Sequence, residues 1–327
     1  MIAKTINNKI SLDELYRMVG NPEVKDGELQ DFFILDPRAS NSFQPRIIPN
    51  PERVDLGQEA TSIDFQATLV DIGIALANAI ARERRHWQYL LTMKLPNRQK
   101  IVSEGDSWFQ YPLLLADVID QLTFRWPNYA IYSIGAAGDF LKDIVVQSEI
   151  ALAVEMTGAE VLLLSGGGND LLGGVTGDSN IKNLLRDFEP SLKPEDYPNE
   201  NFESFLSEVI ELYRSLLEKL TTQFNHLKIL YHGYDYVIPV AGGAFLGNPM
   251  ASKGITDPSL QQAIMKVVVD RLNEEQIALM AKMDRVFHID CRGAVGNNQW
   301  FDEIHPTNEG YQHVAERFHQ KIQEVSF

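Results

Sequence analysis

The sequence of 327 residues holds a single cysteine, Cys291, so no internal disulfide framework is open to it. That scarcity fits a reducing compartment. Nowhere does an apolar run approach the roughly 20 residues of a membrane-spanning helix, and residues 1–8 contain no apolar signal core. A cytoplasmic protein without a transmembrane segment is therefore expected. Positive charge is scarce as well: 29 Lys and Arg face 45 Asp and Glu, leaving a net charge of −16. Such a surface repels phosphate backbones and anionic bilayers, which argues against a nucleic-acid partner. No Gly-x-Gly-x-x-Gly follows the first strand candidate, and no Lys or Thr follows the glycine run Gly166–Gly168. A nucleotide- or phosphate-binding module built on that run thus has its glycines but not its usual companions.

What the chain does have is an ordinary globular composition, with 44% hydrophobic and 23% charged residues, which excludes global disorder. Its length suits one large domain or a domain plus an appendage. Residues 1–98 read differently from the rest. Ser11 is placed to cap a helix carrying Leu12, Leu15, Tyr16 and Val19, with Glu14 three residues after it. Residues 36–51, with Pro37, Pro45, Pro49 and Pro51, read as an irregular connector. An amphipathic helix is expected over 62–91, burying Phe65, Leu69, Ile72, Leu76, Ile80, Trp87 and Leu91. Its basic run, Arg82, Arg84 and Arg85, then reads as a solvated face. This mainly helical appendage is expected to pack on the main domain or on a partner subunit, the latter giving a homo-oligomer through its helices. A non-catalytic interaction protein dominated by this region is one reading of the chain.

From residue 99 to 327, strands and helices alternate. Strand candidates fall at 100–103, 129–134, 161–165, 228–231 and 286–290. Helical patterns lie at 113–125, 140–156, 202–224, 258–283 and 307–324. Short apolar strands between longer helices imply a parallel sheet covered on both faces. With right-handed crossovers, the expected fold class is α/β: a three-layer α/β/α, flavodoxin-like domain of about five parallel strands. Two long connections, 171–201 and 235–257, leave the carboxyl edge of the sheet and are expected to shape a binding site.

That edge also collects the reactive residue types. Gly105-Asp106-Ser107 follows the first strand, where a serine entering a helix is exposed beside the helix N–H groups. Gly135-Ala136-Ala137-Gly138-Asp139 follows the second, and its small residues let backbone N–H groups approach an oxyanion. Gly166-Gly167-Gly168-Asn169-Asp170 follows the third, and Asn169 offers an amide donor. Asp302-Glu303-Ile304-His305 follows the fifth, where an Asp three residues before a His can fix the imidazole tautomer. Singly, each is ordinary turn or cap chemistry. Together they supply a nucleophile, a base, an orienter and charge stabilisers, as acyl transfer requires.

These four blocks, in this order, resemble the SGNH, or GDSL-like, hydrolases. The resemblance covers residues 100–327, with Trp108 where the namesake motif has Leu and Ala137 where Ser is frequent before Gly138. It implies a serine hydrolase of esterase or lipase type acting on a small-molecule or lipid-like carboxylic ester. Ser107, His305 and Asp302 would be the catalytic triad. The oxyanion hole would comprise the Ser107 and Gly138 N–H groups and the Asn169 side chain. No cofactor and no metal are implied. Acyl transfer to an alcohol on the same triad is the alternative chemistry. Trp108, His232 and Tyr234 are further candidates for lining the substrate pocket. His288 and Asp290 alternate on the fifth strand and should share a face, though a metal site there would need more ligands.

Overall fold

Five apolar strands form the centre of the molecule in a computed structural model that describes residues 9–36, 45–56, 72–173 and 179–326. They are β1 (Gln99–Glu104), β2 (Tyr129–Ser133), β3 (Val161–Leu164), β4 (Lys228–His232) and β5 (Val286–Ile289). All pair in parallel, in the order β2-β1-β3-β4-β5. Consecutive residues such as Ile101 and Val102, or Leu162, Leu163 and Leu164, are all fully buried. Neighbours on a strand point to opposite faces, so both faces of the sheet are covered. The sheet is the flavodoxin-like one expected, and its order reverses at β1, the strand that leads to Ser107. A ligand site is anticipated outside the carboxyl ends of strands at such a reversal.

The helices that frame this edge are α1 (Ile74–Thr92), α2 (Val118–Arg125), α3 (Leu141–Val146), α4 (Glu149–Thr157), α5 (Gly168–Leu172), α6 (Glu200–Gln223), α7 (Pro258–Met280) and α8 (Asn308–Val325). Two differ from the sequence reading. The helix expected from residue 113 begins only at Val118. Leu113 takes a positive φ of 65°, and Asp117 caps the new start by accepting the Ile119 and Asp120 N–H groups. Ser107 therefore stands in a single helical turn, closed by Phe109 and Gln110 N–H on the Asp106 carbonyl, and not at the mouth of a long helix. The helix expected over 140–156 is two, broken where Gln147 becomes extended.

The N-terminal region adds small sheets to the expected helices. Phe33–Leu35, Arg46–Pro49 and Ile72–Gly73 pair antiparallel, and Ile10–Ser11 pairs with Val54–Asp55. Part of the Pro-rich connector is thus strand, while Pro37 lies outside the described residues. Ser11 caps its helix as expected, accepting the Glu14 N–H. The expected start at Ser62, with Phe65 and Leu69, also lies outside the described residues. Where the long helix is described, as α1, it is turned over. Leu76, Trp87 and Leu91 are about half exposed, and the buried side carries Asn78, Arg84, Arg85, Gln88 and Tyr89.

The reason is polar satisfaction in place of apolar burial. Arg84 pairs with Asp26 and donates to the carbonyls of Val19 and Asn21. Arg85 reaches Asp117 at 2.6 Å and Asp120 at 2.9 Å. Burial favours the neutral guanidinium, but these carboxylates outweigh it and hold Arg85 firmly charged. A buried charge that is paired and hydrogen-bonded is tolerated where an unpaired one is not. Among the described residues, no helix is long and apolar enough to cross a membrane.

Candidate active site

Three strand ends, those of β1, β2 and β3, converge at the carboxyl edge because their glycines allow it. A Cβ on Gly105 would lie 2.6 Å from the backbone oxygen of Ser165, and one on Gly135 would lie 2.5 Å from the Gly105 carbonyl. Only hydrogens let β1, β2 and β3 end this closely packed.

Within that convergence, Ser107 Oγ lies 2.8 Å from His305 Nε2. The other ring nitrogen, Nδ1, lies 2.8 Å from Asp302 Oδ2. A carboxylate only accepts, so Nδ1 carries the proton and Nε2 accepts from the serine hydroxyl. Asp302 Oδ1 also accepts the backbone N–H groups of Ile304 and His305, at 2.9 and 2.8 Å. Burial works to raise the Asp302 pKa, but His305 and these N–H groups outweigh it and hold the carboxyl below its ordinary value. The loop bearing the pair is tight: the Phe301 N–H donates to the His305 carbonyl, and Trp300 bridges Pro306. Edge contact with the Tyr111 ring, centroids 4.6 Å apart, packs the imidazole from the other side.

Gly138 has φ +93°, a conformation suited to glycine, and a Cβ there would meet nothing within 4 Å. Its N–H and that of Ser107 donate to no group among the described residues. The Asn169 amide donates to the Asp139 carbonyl at 2.9 Å, tying the third block to the second and leaving its other N–H for a further acceptor. Asp170 accepts the Leu141 and Lys142 N–H groups and so caps α3.

Beneath Ser107 lies a buried polar chain that sequence reasoning missed. Asp106 Oδ1 accepts from the Trp108 N–H and from the Ser165 hydroxyl, and its Oδ2 accepts from the Tyr234 hydroxyl. Ser165 Oγ in turn lies 2.9 Å from His232 Nε2. The Tyr234 N–H donates to His232 Nδ1, so Nε2 is the protonated nitrogen and donates to Ser165. Burial pushes His232 down to about 3 and keeps it neutral. His232 thus does not line a substrate pocket as expected; its ring is fully buried, stacked on Phe109. Tyr234 and Trp108 do face the cavity beside Ser107. The Trp108 indole also donates to the Ile304 carbonyl at 3.1 Å, linking the serine turn to the histidine loop.

That cavity is narrow, about 60 Å³, with walls of Leu171, Leu172, Val237 and the α7 residues Met265, Val268 and Leu272. The two long connections border the same edge and bond to each other, the Phe188 N–H donating to the Lys253 carbonyl. The second is anchored by Glu303, another residue with no signal of its own in the sequence. Its carboxylate accepts four backbone N–H groups, from Val240, Phe245, Leu246 and Gly247. Strand β5 ends at Ile289, His288 is buried against Gln276, and Asp290 turns out to pair with Arg292. Among the described residues, no three His, Cys, Asp or Glu side chains gather as metal ligands would.

No family model and no curated protein matches the sequence. Solved structures similar to this chain include a Parabacteroides merdae protein described as a GDSL-like lipase, at 14% identity and a TM-score of 0.44, over 70% of this chain and 97% of that one. A lipase from a goat rumen metagenome is 14% identical with a TM-score of 0.44, over 68% of this chain and 96% of that one. A family 3 carbohydrate esterase from Talaromyces cellulolyticus is 17% identical with a TM-score of 0.42, over 69% and 97%.

Proposed function

We propose that the protein hydrolyses a carboxylic ester through an acyl-serine intermediate. His305 Nε2 takes the proton of Ser107 as Oγ attacks the acyl carbonyl carbon. Asp302 holds the imidazole in the required tautomer and stabilises the cation that forms. The Ser107 and Gly138 N–H groups and the Asn169 amide receive the oxyanion, where fixed donors lower the barrier most. The C–O bond to the alcohol breaks with His305 returning the proton to the leaving oxygen. A water, deprotonated by the same nitrogen, then attacks the acyl-serine and releases the acid.

The observation that carries this reading is the unbroken contact from Ser107 Oγ to His305 Nε2, 2.8 Å, and from His305 Nδ1 to Asp302 Oδ2, 2.8 Å. The Ser107 and Gly138 N–H groups, which donate to no group among the described residues, support it further. The apolar walls of the adjoining cavity suit an apolar acyl group of modest size. The test is turnover of p-nitrophenyl esters of increasing acyl length by wild type and Ser107→Ala. Turnover in the wild type and its loss in a folded Ser107→Ala variant are expected. Equal rates for the two would refute ester hydrolysis at this site.

A further inference from the structure

We infer that Asn78, on helix α1 outside the sheet, is a positioning residue for the oxyanion donor at Gly138. The inference rests on the ester-cleavage reading and adds to it a part played by the N-terminal region. The turn at residues 135–139 has only one side chain larger than a methyl group, so little of its own substance holds its shape. Asn78 grips it from outside: Nδ2 donates to the Ala137 carbonyl and Oδ1 accepts the Ala137 N–H, both at 3.0 Å. The Ala137 carbonyl and the Gly138 N–H belong to one peptide unit, which is planar and trans. Fixing the oxygen on Asn78 therefore aims the N–H the opposite way. The bond also polarises that peptide and strengthens its N–H as a donor. Glycine at 138 makes the alternative easy, because nothing at its own Cα resists a flip of that peptide. A flipped peptide would present a carbonyl oxygen where the oxyanion forms.

Three further hydrogen bonds tie the same helix to the serine turn and to the oxyanion turn. Gln110, three residues beyond Ser107 and fully buried, donates to Asn78 Oδ1 at 3.1 Å and to the Asn78 carbonyl at 3.3 Å. Arg82, one turn further along α1, donates from Nε to the Gly135 carbonyl at 3.1 Å. The serine turn and the oxyanion turn are thus referenced to one helix face. This work accounts for the burial of Asn78 on that face, beside the arginines held by their own carboxylates.

The experiment compares Asn78→Ala with wild type on a p-nitrophenyl ester, together with inhibition by an alkylboronic acid, whose adduct on Ser107 carries an oxyanion. Hydrogen exchange across residues 134–141 is followed in parallel. A folded Asn78→Ala should lose roughly 10- to 100-fold in kcat with KM within about threefold, and bind the boronate more weakly by a similar factor. Exchange at 134–141 should quicken. A kcat within twofold of wild type, or a loss confined to KM, overturns the inference. Should Asn78→Ala fail to fold, the partly exposed Arg82→Gln removes the Gly135 tether together with the ion pairs of Arg82 to Asp139 and Glu149, and is expected to lower kcat about 3- to 10-fold with the same KM pattern; an unchanged kcat overturns it. A wild type that cleaves no ester refutes the ester-cleavage reading separately, and the exchange data still report whether Asn78 holds the turn.

Discussion

The Ser165 hydroxyl stands between Asp106 Oδ1, 2.8 Å away, and His232 Nε2, 2.9 Å away, in a region closed to solvent. It accepts from the imidazole and donates to the carboxylate, so neither buried group lacks a partner. Ser165→Ala leaves the His232 N–H buried and unpaired, which costs about 1–3 kcal/mol. Tyr234→Phe removes the donor to Asp106 Oδ2 and the acceptor of the Gly168 N–H together, and should cost about as much or more. Denaturant unfolding of both variants checks this. Midpoints equal to wild type would show that the chain beneath Ser107 adds nothing to stability.

Glu303 fixes the connection at 238–247 through four N–H groups on one carboxylate. Hydrogen bonds to an ionised acceptor are about twice as strong as neutral ones. Glu303→Ala should destabilise the fold by about 2–5 kcal/mol and open 238–247 first to limited proteolysis. Gly243→Ala should do the same from the other side, since its Cβ would lie 2.1 Å from Glu303 Cδ. Cleavage patterns identical to wild type in both variants would contradict this anchoring.

Glu104 ends β1 in full burial, its carboxyl accepting the Gly105 N–H at 2.8 Å. Burial, with Asp139 nearby, pushes its pKa up to about 8, against the opposing pull of Arg82 and the Gly105 N–H. The folded chain therefore binds this proton more tightly than the unfolded one. The stability linked to it is complete below the unfolded Glu value and is lost as pH rises through about 8. Glu104→Gln, which cannot ionise, should match wild-type Tm near pH 5 and exceed it by several degrees near pH 9. Thermal melts across that range decide it; curves that stay parallel would contradict the assignment.

How much of this was legible in the sequence divides along the range of the interactions. The strands at 101, 131, 162, 229 and 287 are short, continuous apolar runs, and their parallel order followed from the helices between them. The blocks around Ser107, Gly138, Asn169 and His305 were legible because turn residues at strand ends are local chemistry. Helix α2 was misplaced because Asp117, a cap four residues beyond the expected start, was not weighed against the apolar pattern around it. The burial of α1 was inverted for a different reason. Periodicity records which side chains are apolar, whereas Arg84, Arg85 and Asn78 are drawn inward by partners 24 to 66 residues away. His232 looked like a pocket residue because strand ends carry sites; its partner Ser165 lies on another strand end, and nothing local announces that bond. Glu303 sits inside the Asp-x-x-His block, and its four donors come from a loop some 60 residues earlier.

Reaction with a fluorophosphonate, followed by intact mass and peptide mapping, tests the central claim most directly, because only an activated serine is phosphonylated rapidly. The account predicts one adduct per chain, on Ser107, absent from Ser107→Ala and formed far more slowly in His305→Ala. An adduct on any other residue, or Ser107→Ala labelled at the wild-type rate, would contradict it.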